Sequence, residues 1–298
     1  MGSSGRAEQA EAASMTLPLM RFQVITDTHV RSEEEHPYNR RLARALQDIA
    51  ETAPDSRGIM HAGDMTDHGF PDEYARFRSI WEAHRDRLPE LLLTMGNHDV
   101  GLGERESRFA NFLAASGMSA PYHDHWIEGV HFIFLGTEEN LELHCSLSAE
   151  QLAWLDARLE EGRDSAIPAF VFLHQPLLDT VAGSYAEQQW HGVVQDQELK
   201  AVLAKHRNGA ILFTGHTHWE MEAAHNRFDG GPALPPMFNA ASVAYLWTDE
   251  NERKEGSQGY YVEVYRDRVV VRGRDFERNA WIDEARYELK YPLEFPMA

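Results

Sequence analysis

Two triplets at opposite ends of this chain carry residues able to grip a metal: Asp27-Thr28-His29 and His216-Thr217-His218. Each follows an apolar run, Phe22-Gln23-Val24-Ile25-Thr26 and Ala210-Ile211-Leu212-Phe213-Thr214. In an extended segment residues two apart face the same side. Each triplet is therefore expected to present its two side chains together at a strand end. Carboxylate and imidazole suit divalent transition metals. Three more polar clusters stand behind apolar runs: Gly63-Asp64-Met65-Thr66-Asp67, Gly96-Asn97-His98-Asp99 and His174-Gln175-Pro176. Taken singly, each is an ordinary turn, cap or packed histidine. Five of them in order, each behind an apolar run, point instead to one edge of a layered α/β fold, where ligands bind outside the carboxyl ends of the strands.

The elements that must hold these clusters are legible as alternating apolar runs and periodic segments. Strands are expected over 21–26, 58–62, 91–95, 130–136, 168–173 and 210–214, most of them continuous apolar runs suited to burial on both faces. Helices are expected over 38–52, 72–88, 148–161 and 195–207. The third should open on a Ser148/Gln151 capping box and stop at Gly162. The last quarter changes character: 237–244, 259–265 and 268–276 are β-rich with no helix between them. Residues 97–129 and 175–194 read as long connections that could wall a site. The organisation expected is an appended leader over 1–16 and a single domain over 17–298, with a motif-bearing core at 21–220 and a β-rich part at 221–298.

The formal net charge of −20, with no Lys/Arg run, disfavours a nucleic-acid polymer as partner. Affinity for a small phosphorylated substrate would need a local positive centre, which metal ions can supply. No apolar stretch approaches the roughly 20 residues needed to span a bilayer, so no membrane partner is expected. Cys145 is the only cysteine, in keeping with a reducing, cytoplasmic setting.

The ordered set Asp-x-His, Gly-Asp-x-x-Asp, Gly-Asn-His-Asp, His and Gly-His-x-His, running through residues 21–220, resembles the calcineurin-like metallophosphoesterase superfamily, and within it the bacterial branch that includes cyclic-nucleotide phosphodiesterases. The resemblance implies a four-layer α/β/β/α sandwich with two divalent metal ions (Mn, Fe or Zn) at one edge. It makes Asp27, His29 and His218 ligands of one metal and Asn97, His174 and His216 ligands of the second, with Asp64 bridging. Two divalent cations outweigh the carboxylates of Asp27 and Asp64, leaving a positive spot in an acidic protein. Such a pair can share a hydroxide and hold phosphate oxygens for in-line attack. His98 is given the leaving oxygen, and Asp99 is its natural orienting partner. The reaction expected is hydrolysis of a small phosphodiester of cyclic-nucleotide type in a bacterial cytoplasm. A phosphomonoesterase is the alternative. A non-catalytic scaffold, as in a retromer subunit, fits less well because every ligand position is filled.

Other residues receive smaller parts. Asp67 is expected to orient a metal-binding group or cap a helix, and His61 to be a buried structural histidine. His123 and His125 share the i, i+2 spacing but lack further ligands, so they read as loop residues on a pocket wall. His191 is expected to touch substrate, with Tyr185 and Trp190 as weaker candidates.

Overall fold

The computed structural model describes residues 17–189 and 191–291. The segment 1–16, expected to be a leader, and Trp190 lie outside the described residues. The chain opens with β1 (Met20–Ile25), α1 (Pro37–Thr52), β2 (Ile59–His61), α2 (Pro71–Glu82) and β3 (Leu91–Leu93). Two helices follow, α3 (Asn97–Val100) and α4 (Arg105–Ser116), then the hairpin of β4 (His123–Ile127) and β5 (Val130–Phe134). Next come α5 (Ala149–Glu161), β6 (Ala169–Phe172), α6 (Asp196–Lys205), β7 (Ala210–Thr214), β8 (Arg227–Phe228) and β9 (Met237–Asn239). The chain ends with β10 (Leu246–Trp247), β11 (Arg253–Lys254), β12 (Gln258–Val264), β13 (Arg268–Asp275) and β14 (Ala280–Lys290).

Two six-stranded sheets organise these elements, ordered β14-β13-β12-β1-β2-β3 and β4-β5-β6-β7-β9-β8. The strands β1, β2 and β3 run parallel, as do β5, β6, β7 and β9; β12 to β14 form an antiparallel meander against β1. Continuous apolar runs make sense here because both faces of each central strand are covered. Phe132, Phe134, Phe170, Phe172, Ile211 and Phe213 face the other sheet, while Ile133, Val171 and Leu212 face the helices α5 and α6. Phe22 of β1 reaches across the sheets to Phe132 at 5.1 Å and Phe170 at 4.8 Å, both edge-on. Ile25, Leu42, Leu46, Ile49, Ile59 and Phe77 build the opposite outer layer with α1 and α2. The architecture is the expected α/β/β/α sandwich with a β-rich C-terminal part.

Several expectations need correction. The connection over 97–129 is largely structured, holding α3, α4 and β4. His123 and His125 therefore lie on an edge strand paired with β5, not in a loop. The segment 237–244 is strand only as far as Asn239, and the helix expected over 72–88 ends at Glu82, followed by a 3-10 turn over Arg85–Arg87. Only half of the α5 capping box forms. Ser148 Oγ accepts from Gln151 N–H at 3.1 Å, but the Ser148 N–H is taken by Glu138, and the Gln151 amide turns to Gly136 instead. A buried pair locks the meander to α1: Arg274 donates through Nε and Nη2 to Asp48, which also accepts from Tyr261 Oη at 2.6 Å.

Candidate metal centre

All seven expected ligands emerge at the carboxyl ends of parallel strands. Asp27 and His29 follow β1, Asp64 follows β2, and Asn97 follows β3; His174 follows β6, and His216 and His218 follow β7. Both sheets therefore contribute, and their shared edge is where the side chains meet. Potential ligand atoms lie within 4.8 Å of one another in three groups: Asp27/His29/His218, His29/Asp64/His98 and Asp64/His174/His216. Asn97 adjoins them on the wall of the same cavity.

The backbone that achieves this is not extended. Asp27, His29, Asp64, His216 and His218 have φ of 53°, 43°, 53°, 71° and 59°. The left-handed region is costly for residues other than glycine, and such residues cluster at functional sites. The extended-strand rationale for the two triplets is accordingly wrong, although Asp27 and His29 still converge in one group as expected. Left-handed turns send His216 and His218 into different groups instead of to one side. The turns also bring backbone very close to side chains. A Cβ on Gly96 would sit 2.0 Å from Asp64 Oδ1, and one on Gly215 would sit 2.4 Å from Asp27 Oδ2.

Hydrogen bonds fix which atoms look inward. His29 Nδ1 faces Asp67 Oδ1 at 3.0 Å, His174 Nδ1 faces the Ala62 carbonyl at 2.8 Å, and His218 Nδ1 faces the Tyr245 carbonyl at 3.1 Å. Each partner only accepts, so each Nδ1 carries the proton, leaving a lone pair on Nε2 in the neutral ring. Those Nε2 atoms converge. His29 Nε2 lies 3.1 Å from His218 Nε2, and Asp27 Oδ1 lies 2.8 Å from His218 Nε2 and 3.7 Å from His29 Nε2. His174 Nε2 lies 3.1 Å from Asp64 Oδ2. Asp27 Oδ1, Asn97 Oδ1 and His174 Nε2 are buried with no hydrogen-bond partner. Such crowded lone pairs repel unless a proton or a metal ion sits between them, and buried carboxylate, amide-oxygen and imidazole donors of this kind fit divalent metal ions.

The remaining atoms of the same residues are anchored. Asp27 Oδ2 accepts from Thr26 Oγ1 at 2.6 Å and His216 N–H at 3.0 Å. Asp64 Oδ1 accepts from His98 N–H at 2.8 Å, and Asn97 Nδ2 donates to the Glu142 carbonyl at 2.8 Å. Burial alone would raise the Asp27 carboxyl, yet His218 and His174 hold it well below its ordinary value. Against the same penalty, His174 and His98 keep Asp64 low. Burial also opposes charge on His174, but Asp64 and Asp27 push it up to about 9. Burial pulls His216 down to about 3.

His98 is half-buried, lines the cavity and lies with its ring 4.6 Å from that of His29. Its Nδ1 donates to the Asp67 carbonyl at 2.7 Å. Asp99 does not orient it. The Asp99 carboxylate turns away to accept from the N–H groups of Met65, Thr66 and Gly96 and from Thr66 Oγ1. Burial and the nearby Asp64 push Asp99 up to about 6. Asp67 takes the orienting part for both His29 and His98 while pairing with Arg31. His61 is fully buried, with Nδ1 accepting from Gly63 N–H and Nε2 near Thr28 Oγ1, as expected of a structural histidine.

The cavity over this centre has a volume of about 360 Å³, and His191 lines it. Tyr185 does not; it lines a separate cavity beside His225, with its hydroxyl donating to the Thr180 carbonyl. Larger grooves lie beside α2 and between α5 and α6, but among the described residues no converging ligand group lines either. Sequence reasoning missed Leu143, Trp219, Tyr245 and Trp247 on the cavity wall. Trp219 had a signal, standing directly after His218. Trp247 arrives on the short strand β10 with Tyr245 directly before it, and Leu143 from a separate connection, none of them marked by a local pattern.

Comparison with known proteins agrees with this geometry. The calcineurin-like phosphoesterase family matches residues 20–220. The cAMP/cGMP dual specificity phosphodiesterase of Mycobacterium tuberculosis is 26% identical over 263 residues, covering 83% of this chain and 76% of that protein. The 3',5'-cyclic-nucleotide phosphodiesterase of Nostoc is 23% identical, covering 76% of this chain and 82% of that protein. The fold is shared with a purple acid phosphatase from yellow lupin seeds, with a TM-score of 0.66 at 12% identity over 91% of this chain and 53% of that one. With its family pattern spanning two thirds of the sequence and its ordered clusters meeting at one sheet edge, the chain belongs to the calcineurin-like phosphoesterase family and is a phosphoesterase.

Proposed function

We propose that the chain hydrolyses a small phosphodiester of cyclic-nucleotide type, with two divalent metal ions held at the edge of the sheets. In this reading Asp27, His29 and His218 hold one ion, Asn97, His174 and His216 hold the other, and Asp64 serves both. The observation that carries it is the set of buried acceptors without hydrogen-bond partners: Asp27 Oδ1 and His174 Nε2, each in a group of converging ligands, and Asn97 Oδ1 on the wall of the same cavity. When bound, Mn, Fe or Zn would supply Lewis acidity and an activated water.

The chain's own residues do the rest. Asp67 and the carbonyls of Ala62 and Tyr245 keep the imidazoles of His29, His174 and His218 in the tautomer that turns Nε2 inward. His98, held by Asp67 and open to the cavity, delivers a proton to the leaving oxygen. His191 contacts substrate at the mouth. Diester preference draws support from the two bacterial relatives, both cyclic-nucleotide phosphodiesterases by name. A bacterial cytoplasmic location fits the same relatives and the single buried Cys145. Among the described residues no helix is long and apolar enough to cross a membrane.

The test is hydrolysis of 3',5'-cyclic AMP, bis(p-nitrophenyl) phosphate and p-nitrophenyl phosphate after loading with Mn, Fe or Zn. The diesters should be cleaved faster than the monoester, and chelation should abolish both activities. Faster turnover of the monoester would replace the diesterase reading with a phosphatase one.

A further inference from the structure

One wall of the cavity takes no part in the hydrolytic chemistry. β10 is extended, so Tyr245 and Trp247 share a side and Leu246 takes the other. Leu246 is buried in the core between the sheets, whereas Tyr245 and Trp247 line the cavity. The segment is pinned to His218 at both ends. His218 Nδ1 donates to the Tyr245 carbonyl, and the Trp247 N–H donates to the His218 carbonyl at 2.9 Å. Trp247 is thereby set at a fixed height above a candidate ligand.

The two aromatic rings are not equally free. Tyr245 packs 4.3 Å from His218, stacks on Tyr38 at 5.7 Å, and carries the Arg253 guanidinium 4.7 Å above its face. Trp247 is half-buried, and among the described residues its indole has no ring or cation partner. The described residues lining the cavity include no Lys or Arg. Beyond the reacting phosphate, a ligand there should therefore carry no further negative charge, which disfavours a polyphosphate chain. An uncharged, planar group fits an open indole face, and base–aromatic stacking tolerates any base because every base has a π face.

We propose that Trp247 is the platform on which the nucleobase of a cyclic mononucleotide stacks while its phosphate lies over the metal centre. The inference rests on the diesterase reading and deepens it by assigning the base subsite. The test compares kcat/KM for 3',5'-cyclic AMP with that for glycerophosphoglycerol, a diester with neither a ring nor a cationic group, in Mn-loaded wild type, Trp247→Ala and Trp247→Phe. Trp247→Ala should lower the cyclic AMP to glycerophosphoglycerol ratio by about 10-fold. The loss should fall in KM for cyclic AMP and not in kcat, as expected for binding equal in ground and transition states. Trp247→Phe should restore most of it. Quenching of tryptophan fluorescence by 5'-AMP, which needs no turnover, should be present in wild type and weakened in Trp247→Ala. An unchanged ratio overturns the base subsite. So does a wild type that cleaves glycerophosphoglycerol but not cyclic AMP, an outcome that keeps phosphodiester hydrolysis and removes only its cyclic-nucleotide type. Cleavage of neither diester, with quenching by 5'-AMP intact, overturns the diesterase reading alone.

Discussion

Two His-x-His pairs in this molecule share a sequence pattern and nothing else. His216 and His218 follow a central parallel strand on a left-handed backbone, and their rings join different groups of converging ligands. His123 and His125 lie on regular β structure at a sheet edge. There, His123 Nε2 donates to the Leu93 carbonyl at 2.9 Å, and its Nδ1 accepts from His125 Nε2 at 2.8 Å. The His123 ring lies flat on Phe134, with centroids 4.7 Å apart. The edge pair thus satisfies its polar atoms internally, whereas the central pair faces buried atoms that lack partners. Spacing alone does not make a metal site. Strand-end position, backbone conformation and the direction of the lone pairs do.

The sharpest way to break this contrast is to remove one histidine from each pair. His216→Ala or His218→Ala should leave less than the full complement of two metals, read by elemental analysis. Turnover of bis(p-nitrophenyl) phosphate should drop more than 100-fold, since even outer partners of metal ligands are worth 10–100-fold. His123→Ala and His125→Ala should retain metal and turnover. Metal loss in the edge variants would erase the distinction.

His98 sharpens the comparison from inside the site, because it touches the central cluster and donates its Nδ1 proton to a carbonyl as the candidate ligands His174 and His218 do, yet it stands half-buried on the cavity wall. His98→Ala should lower kcat by about 10²–10⁴-fold, the usual worth of a positioned general acid, with metal content unchanged. Loss of both metals would make it a ligand instead. Asp67→Asn should cost less, about 10–100-fold in metal affinity or turnover, by weakening its hold on His29. A titration of Mn binding distinguishes that from a purely catalytic loss.

Much of this centre could be read from residue order, because each ligand cluster stands directly behind a run buried on both faces; Ala210–Thr214 was bounded to the residue. What could not be read has physical causes. Left-handed φ at Asp27, His29 and Asp64 leaves only a weak mark in residue type, because Asp and His enter that region more readily than most residues but still do so rarely. β14 alternates charged and apolar residues along an edge, so it lacks the apolar run that betrays a central strand. β4, His-Asp-His-Trp-Ile, is a half-buried edge strand whose polar residues mimic a loop. The direction of Asp99 depends on the N–H groups of Met65 and Thr66, which only folding brings to it.

The smallest effect expected is on stability, and it belongs to the edge pair. Burial, opposed by the Leu93 carbonyl, depresses His123 below its ordinary value of 6.5. The unfolded chain therefore takes up this proton at a higher pH than the folded one does. The stability His123 contributes is fully present above pH 6.5 and is lost as the pH falls from there through the depressed folded value. His123→Gln removes the titrating group but keeps a donor for the Leu93 carbonyl. Its melting temperature should therefore fall less steeply than that of wild type on acidification below pH 6.5, by on the order of a few degrees, with the two curves parallel above it. Melting curves from pH 5 to 8 on chelated protein, where no bound metal contributes, read this directly. Parallel curves throughout would mean that His123 takes up its proton at the same pH in both states, and that its place against Leu93 and Phe134 does not disfavour the charged ring.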